Sequence, residues 1–122
     1  MKAIATTSIL FVAAAHLGFF LLEMFFWNHP FGRVLFSMTA EQSATTAVLA
    51  ANQGLYNGFL AAGLVWGVTA RKPDVTMFFL ICVLVAGIFG GISASPSIFL
   101  VQALPAAIAI AAQCLARDSS QL

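Results

Sequence analysis

Residues 75–92 read VTMFFLICVLVAGIFGGI, eighteen positions without one charged side chain. A run of that length and apolarity reads as a helix able to cross the roughly 30 Å hydrocarbon layer of a bilayer. A soluble helix needs a polar face, and Thr76 is nearly all that this one offers. Upstream, Arg71-Lys72-Pro73-Asp74 is a short polar connection whose proline suits a break. Downstream, Ser93-Ala94-Ser95-Pro96-Ser97 is turn chemistry. Beyond these connections, further apolar spans are expected over about 4–26, 46–70 and 98–115. The predicted fold is an all-α membrane protein, a four-transmembrane-helix bundle in which residues 1–122 form a single integral membrane domain.

Composition agrees with this. Of 122 residues, 61% are hydrophobic and only 7% are charged, against about 25% charged in soluble domains. So few charges cannot cover a water-exposed surface, which excludes an ordinary soluble enzyme and a disordered chain. The net charge of +1 supplies no basic face for phosphates, so the expected partner is the lipid bilayer and not a nucleic acid. Lys2 precedes an apolar run that continues to Phe26. That is well past a signal-peptide core of 7–15 residues, so a retained first helix is expected. With four crossings, Lys2, Arg71, Lys72 and Arg117 share one side and Arg33 lies opposite. The positive-inside rule then makes both termini cytoplasmic. Cys82 and Cys114 lie far apart in apolar stretches and read as buried small hydrophobes.

Local signals divide the chain further. Asn28-His29-Pro30-Phe31-Gly32 is a turn, and Arg33 to Met38 is a segment too short to cross, expected along the surface. Thr39 with Gln42 three residues on has the form of a capping box, so the second long helix should begin near Ala40. A polar tail is expected from Arg117 to Leu122. Gly54 and Gly58, Gly63 and Gly67, and Gly87 and Gly91 recur at four-residue spacing. Such faces let membrane helices approach closely, either within one chain or as the contact of a homo-oligomer.

An ionisable group inside a span costs about 2.5–3.5 kcal/mol on insertion scales, which makes His16 and Glu23 conspicuous. They stand seven residues apart, within about 20° of one helical stripe and ~10 Å apart along the axis. In the second span Asn52, Tyr56, Gln53 and Asn57 fall at about 0°, 40°, 100° and 140°, a polar arc on an apolar helix. Each carboxamide in hydrocarbon needs hydrogen-bond partners. Counting ~1.5 Å per residue from the outer boundary, His16, Glu23 and the amides share one depth band on antiparallel neighbours. Gln102 adds another amide near that depth, beside Pro105. Trp27 marks the outer rim with Arg33, while Trp66 and Gln113 read as interfacial anchors at the other boundary.

Glu23-Met24-Phe25-Phe26-Trp27 and the stretch from Asn52-Gln53-Gly54-Leu55-Tyr56-Asn57-Gly58 through Phe59-Leu60-Ala61-Ala62-Gly63-Leu64 resemble the signature of the domain of unknown function 1304 family. The resemblance implies a small four-helix protein of the bacterial inner membrane, and it implies no reaction.

These residues point to an intramembrane polar pocket between the first two long helices. It would bind or transport a small polar or amphipathic molecule through His16, Glu23, Trp27, Asn52, Gln53, Tyr56, Asn57 and Gln102. Two alternatives stay open. One is an intramembrane enzyme on a lipid-like substrate, with His16 or Glu23 as general acid or base and Tyr56 with an Asn polarising an oxygen. The other is a structural or assembly subunit whose polar residues only hold helices together. There is no Ser-His-Asp order, HExxH motif or glycine-rich phosphate loop, so no catalytic residue is assigned and the reading leans away from an enzyme. One His and one Glu with amides make a poor transition-metal shell, so neither a metal nor a cofactor is expected.

Overall fold

Every long helix starts or stops where its sequence supplies a physical reason. The computed structural model of the protein describes residues 1–118; the rest of the expected polar tail, residues 119–122, lies outside the described residues. Helix α1 (Lys2–Phe25) is the first apolar run. It ends just before the Asn28-His29-Pro30 turn, and the short α2 (Pro30–Leu35) begins on the proline, whose missing N–H costs nothing at a first helical position. His29 has the extended ψ of 147° required before proline, and its Nδ1 accepts from the Phe31 backbone N–H at 3.2 Å. The surface segment expected at 33–38 is thus helical, but it starts earlier.

Helix α2 stops in a left-handed turn at Ser37, φ 53°, with the Met38 N–H donating to the Arg33 carbonyl at 2.8 Å. The capping box then forms as its spacing predicts. Gln42 N–H donates to Thr39 Oγ1 at 3.1 Å, and Thr39 N–H donates to Gln42 Oε1 at 2.8 Å, opening α3 (Ala40–Thr69). The same type of stop closes α3. Arg71 has φ 55° and the Lys72 N–H reaches the Gly67 carbonyl at 2.8 Å. Proline at its first turn starts α4 (Pro73–Ser93). The last helix opens with a π-helical turn over Phe99–Ala103 and continues as α5 (Leu104–Asp118). Pro105 has no N–H for the Val101 carbonyl, and the wider turn, with Leu104 N–H on Phe99 O, accommodates its ring.

All regular structure among the described residues is helical. α1, α4 and the rod Phe99–Asp118 are each long and apolar enough to cross a membrane. α3, with 30 residues, has the length, but its amides and hydroxyls lower its apolarity. The fold is that of an all-helical protein with three helices suited to a bilayer.

Helix α1 packs against α3 and α5, and α4 packs against the same two. The shared core is Ile9, Val12, Ala13, Leu64, Leu80, Val83, Ala106 and Ala109, extended by Ala5, Ala112 and Ala116. These residues come from the first half of α1, the first half and midpoint of α4, the second half of α3 and the stretch of α5 from Ala106 onward, hence from the middle toward one end of an antiparallel assembly. At the other end, burial is confined to separate seams. Gly54 and Asn57 of α3 face α1, while Gly87 and Gly91 of α4 face the π turn. A methyl group on Gly87 would stand 2.7 Å from the Ala103 backbone nitrogen, so the two backbones touch there. Gly32 is tighter still, because a side chain on it would run into the Phe26 carbonyl. All three glycine pairs are covered from within the chain: Gly54 and Gly58 by α1, Gly63 and Gly67 by α4, Gly87 and Gly91 by the π turn. Cys82 is half-buried and Cys114 is exposed. The expectation of two buried thiols fails at Cys114 because it lies off the face that carries Ala109, Ala112 and Ala116.

Candidate functional site at the α1–α3 seam

Small residues decide where α1 and α3 meet. Along α3 the buried stripe runs Ala50, Gly54, Asn57, Ala61 and Leu64, a three-and-four spacing. Gly54 lies against the Glu23 side chain and the Met24 backbone, and Gly58 lies against the Phe20 ring. Asn57 sits between these two glycines on the stripe and is brought within reach of Glu23. Its Nδ2 donates to Glu23 Oε2 at 2.7 Å. Asn57 is buried and Glu23 is half-buried. One turn nearer the far end, Trp27 Nε1 donates to Thr46 Oγ1 at 2.9 Å, and the Thr46 hydroxyl donates to the Gln42 carbonyl at 2.7 Å. The Trp27 ring lies over Phe36 at 4.9 Å between centroids.

Two turns toward the core, His16 is 1% exposed. Its Nδ1 stands 2.9 Å from the Val12 carbonyl. A carbonyl can only accept, so Nδ1 carries the proton and Nε2 presents a lone pair in the neutral ring. That Nε2 is buried and has no hydrogen-bond partner among the described residues. The Phe19 ring meets the imidazole edge-on at 5.5 Å.

The sequence-expected residues therefore do not all come together. Glu23, Asn57 and Trp27 lie along the α1–α3 seam, and His16 is buried seven residues before Glu23 on the same stripe of α1. Asn52, Gln53 and Tyr56 are exposed on α3, off the stripe that meets α1. Gln102 is elsewhere, its Nε2 donating to the Val83 carbonyl at 3.3 Å between the π turn and α4. Arg33 is half-buried on α2.

One polar cluster was not anticipated. Gln113 was expected at a membrane boundary but is 4% exposed. Its Nε2 donates to the Pro73 carbonyl at 2.6 Å, and the Thr76 hydroxyl donates to its Oε1 at 2.8 Å. The signal was present in the sequence: Ala106, Ala109, Gln113 and Ala116 share one face at helical spacing.

Chemically, the seam offers acceptors. The second Glu23 oxygen makes no hydrogen bond within the described residues, and His16 Nε2 is an acceptor in its neutral form. At about 10 Å along the axis the two do not share a proton directly. Among the described residues no three His, Cys, Asp or Glu side chains gather, and the pair falls short of the four ligands of a usual zinc shell. No curated protein and no solved structure matches the chain. The family model described as "Protein of unknown function (DUF1304)" matches residues 10–114, a stretch that holds the whole α1–α3 seam, and the chain belongs to that family.

Proposed function

We propose that the chain is a four-span integral membrane protein of the bacterial inner membrane, and that its α1–α3 seam binds or transports a small amphipathic molecule. Lys2, the α3–α4 connection and Arg117 lie on the cytoplasmic side in this reading, and Trp27 faces the opposite side. The extensive antiparallel contact of α3 with α1 supports α3 as the fourth span. The charge asymmetry of the connections supports the orientation.

The orphaned Nε2 of buried His16 carries the ligand reading. A residue kept only to tie helices together has its polar atoms paired. An unpaired buried one costs about 1–3 kcal/mol. Both open atoms, that Nε2 and the second Glu23 oxygen, are acceptors, so the molecule they suit brings donors: an amine or a hydroxyl on an apolar body. The aromatic flank of Phe19 and Phe20 suits such a body.

The test is a thermal-shift comparison of the purified protein against a panel of aliphatic amines and amino alcohols. Glu23→Gln keeps an acceptor for Asn57 and removes the charge. His16→Leu removes the orphan at similar volume. Both variants should fold, with His16→Leu as stable as the parent or more so. Compounds that raise the parent's Tm should leave both variants unmoved. Equal shifts in all three proteins, or none in the parent, would favour the structural-subunit reading and end this one.

A further inference from the structure

The end of the molecule opposite Trp27 carries a second feature, independent of the seam. A depression of about 430 Å³ opens where the start of α1, the α3–α4 connection and the end of α5 converge. Lys2, Arg71, Lys72 and Arg117 all line it, four of the five basic residues in the chain. Among the described residues no acidic side chain lines it; Asp74 and Asp118, the nearest acids in sequence, are exposed outside it. The convergence has structural causes. The left-handed turn at Arg71 reverses the chain so that adjacent cations border one opening. Lys72 Nζ is held 5.5 Å over the Trp66 ring.

The floor differs from the rim. Thr76 and Gln113 are buried there, and their hydrogen bonds are spent on each other and on the Pro73 carbonyl. Ala5, Ile9, Val68 and Ala116 make most of the remaining wall apolar, with the Thr6 side chain as one further polar group. A cationic rim over an apolar, internally satisfied floor suits a phosphate joined to an apolar body. A free phosphate ion would fill little of this volume and would leave the apolar wall without a partner.

We propose that this depression binds the phosphate headgroup of an anionic phospholipid, with Lys2, Arg71 and Lys72 as the recognising cations. Guanidinium and ammonium groups form short charge-assisted hydrogen bonds to phosphate oxygens. Basic pockets between membrane helices on the cytoplasmic side are suited to such headgroups.

Full-length protein in mixed micelles of equal phosphatidylglycerol and phosphatidylcholine tests this by native mass spectrometry of the retained lipid. The protein should retain phosphatidylglycerol preferentially. Each rim cation removed should lower that preference about fivefold. Lys2→Gln and Lys72→Gln remove surface charges, and Arg71→Gly removes one while suiting the left-handed turn, so folding is retained. Arg33→Gln, the same charge change at the other end, should leave the preference intact. Inorganic phosphate at millimolar concentration should not displace the lipid. The proposal falls if the rim variants keep the preference, if Arg33→Gln lowers it equally, or if inorganic phosphate competes, which would make the site one for a free anion.

Discussion

At the scale of single residues, the Glu23–Asn57 hydrogen bond joins two helices where lipid supplies no competing partner. Interhelical bonds of this kind contribute about 0.6–2 kcal/mol. A double-mutant cycle with Glu23→Leu and Asn57→Leu, read by unfolding in detergent, should return a coupling in that range, and a value near zero would show the bond to be incidental. His16 and Glu23 were legible in the sequence because an ionisable group in a span stands out on composition alone. Asn57 was legible only as part of a broader arc. What separates it from Asn52, Gln53 and Tyr56 is membership of the small-residue stripe Ala50, Gly54, Asn57 and Ala61. The contact with α1 is narrower than the polar arc. Gln113 was misread because its nearness to the charged end of the chain outweighed its place among the alanines of α5.

At the scale of elements, stops matter as much as starts. Thr39 supplies the side-chain half of a reciprocal cap, and Thr39→Ala should cost about 1 kcal/mol of stability. Ser37 holds a left-handed backbone at φ 53°, a conformation that costs a residue with a Cβ about 1–2 kcal/mol. Ser37→Gly should therefore raise the unfolding free energy, by up to about 1 kcal/mol after glycine's greater chain entropy is subtracted. A loss of stability would mean that the serine side chain has a role of its own. The cap at Thr39 was visible from a three-residue spacing. The left-handed stops at Ser37 and Arg71 were not, because neither position carries the glycine that usually marks them. The π turn was also hidden: Pro105 announces a disturbance, but a proline alone does not say whether a helix kinks, breaks or widens.

At the scale of the whole molecule, the shared core runs from the middle toward one end and the other end is held by separate seams. Leu64 and Leu80 are fully buried where α1, α3, α4 and α5 meet. In a bilayer or micelle the unfolded helices already lie in an apolar solvent, so truncating either leucine forfeits packing more than transfer energy. Leu64→Ala or Leu80→Ala should cost about 2 kcal/mol, the low end for a buried leucine. Leu49→Ala, on an exposed position of α3, should cost little. Unfolding in detergent separates the two, and equal effects would contradict this placement of the core. The all-helical class and the breaks between the long helices were legible from hydropathy and turns. The placement of the core was not, because α1 and α4 are apolar nearly all round and the choice of inner face falls to small residues.

The chain's two tryptophans stand near opposite ends of α3, Trp27 bonded to Thr46 and Trp66 beneath the Lys72 ammonium. They amount to a built-in optical ruler. With Trp27 replaced by phenylalanine, the remaining indole is a single fluorophore beside the basic depression. Quenchers placed at graded depths along lipid acyl chains would then report how far that end sits from the bilayer centre, without any attached label.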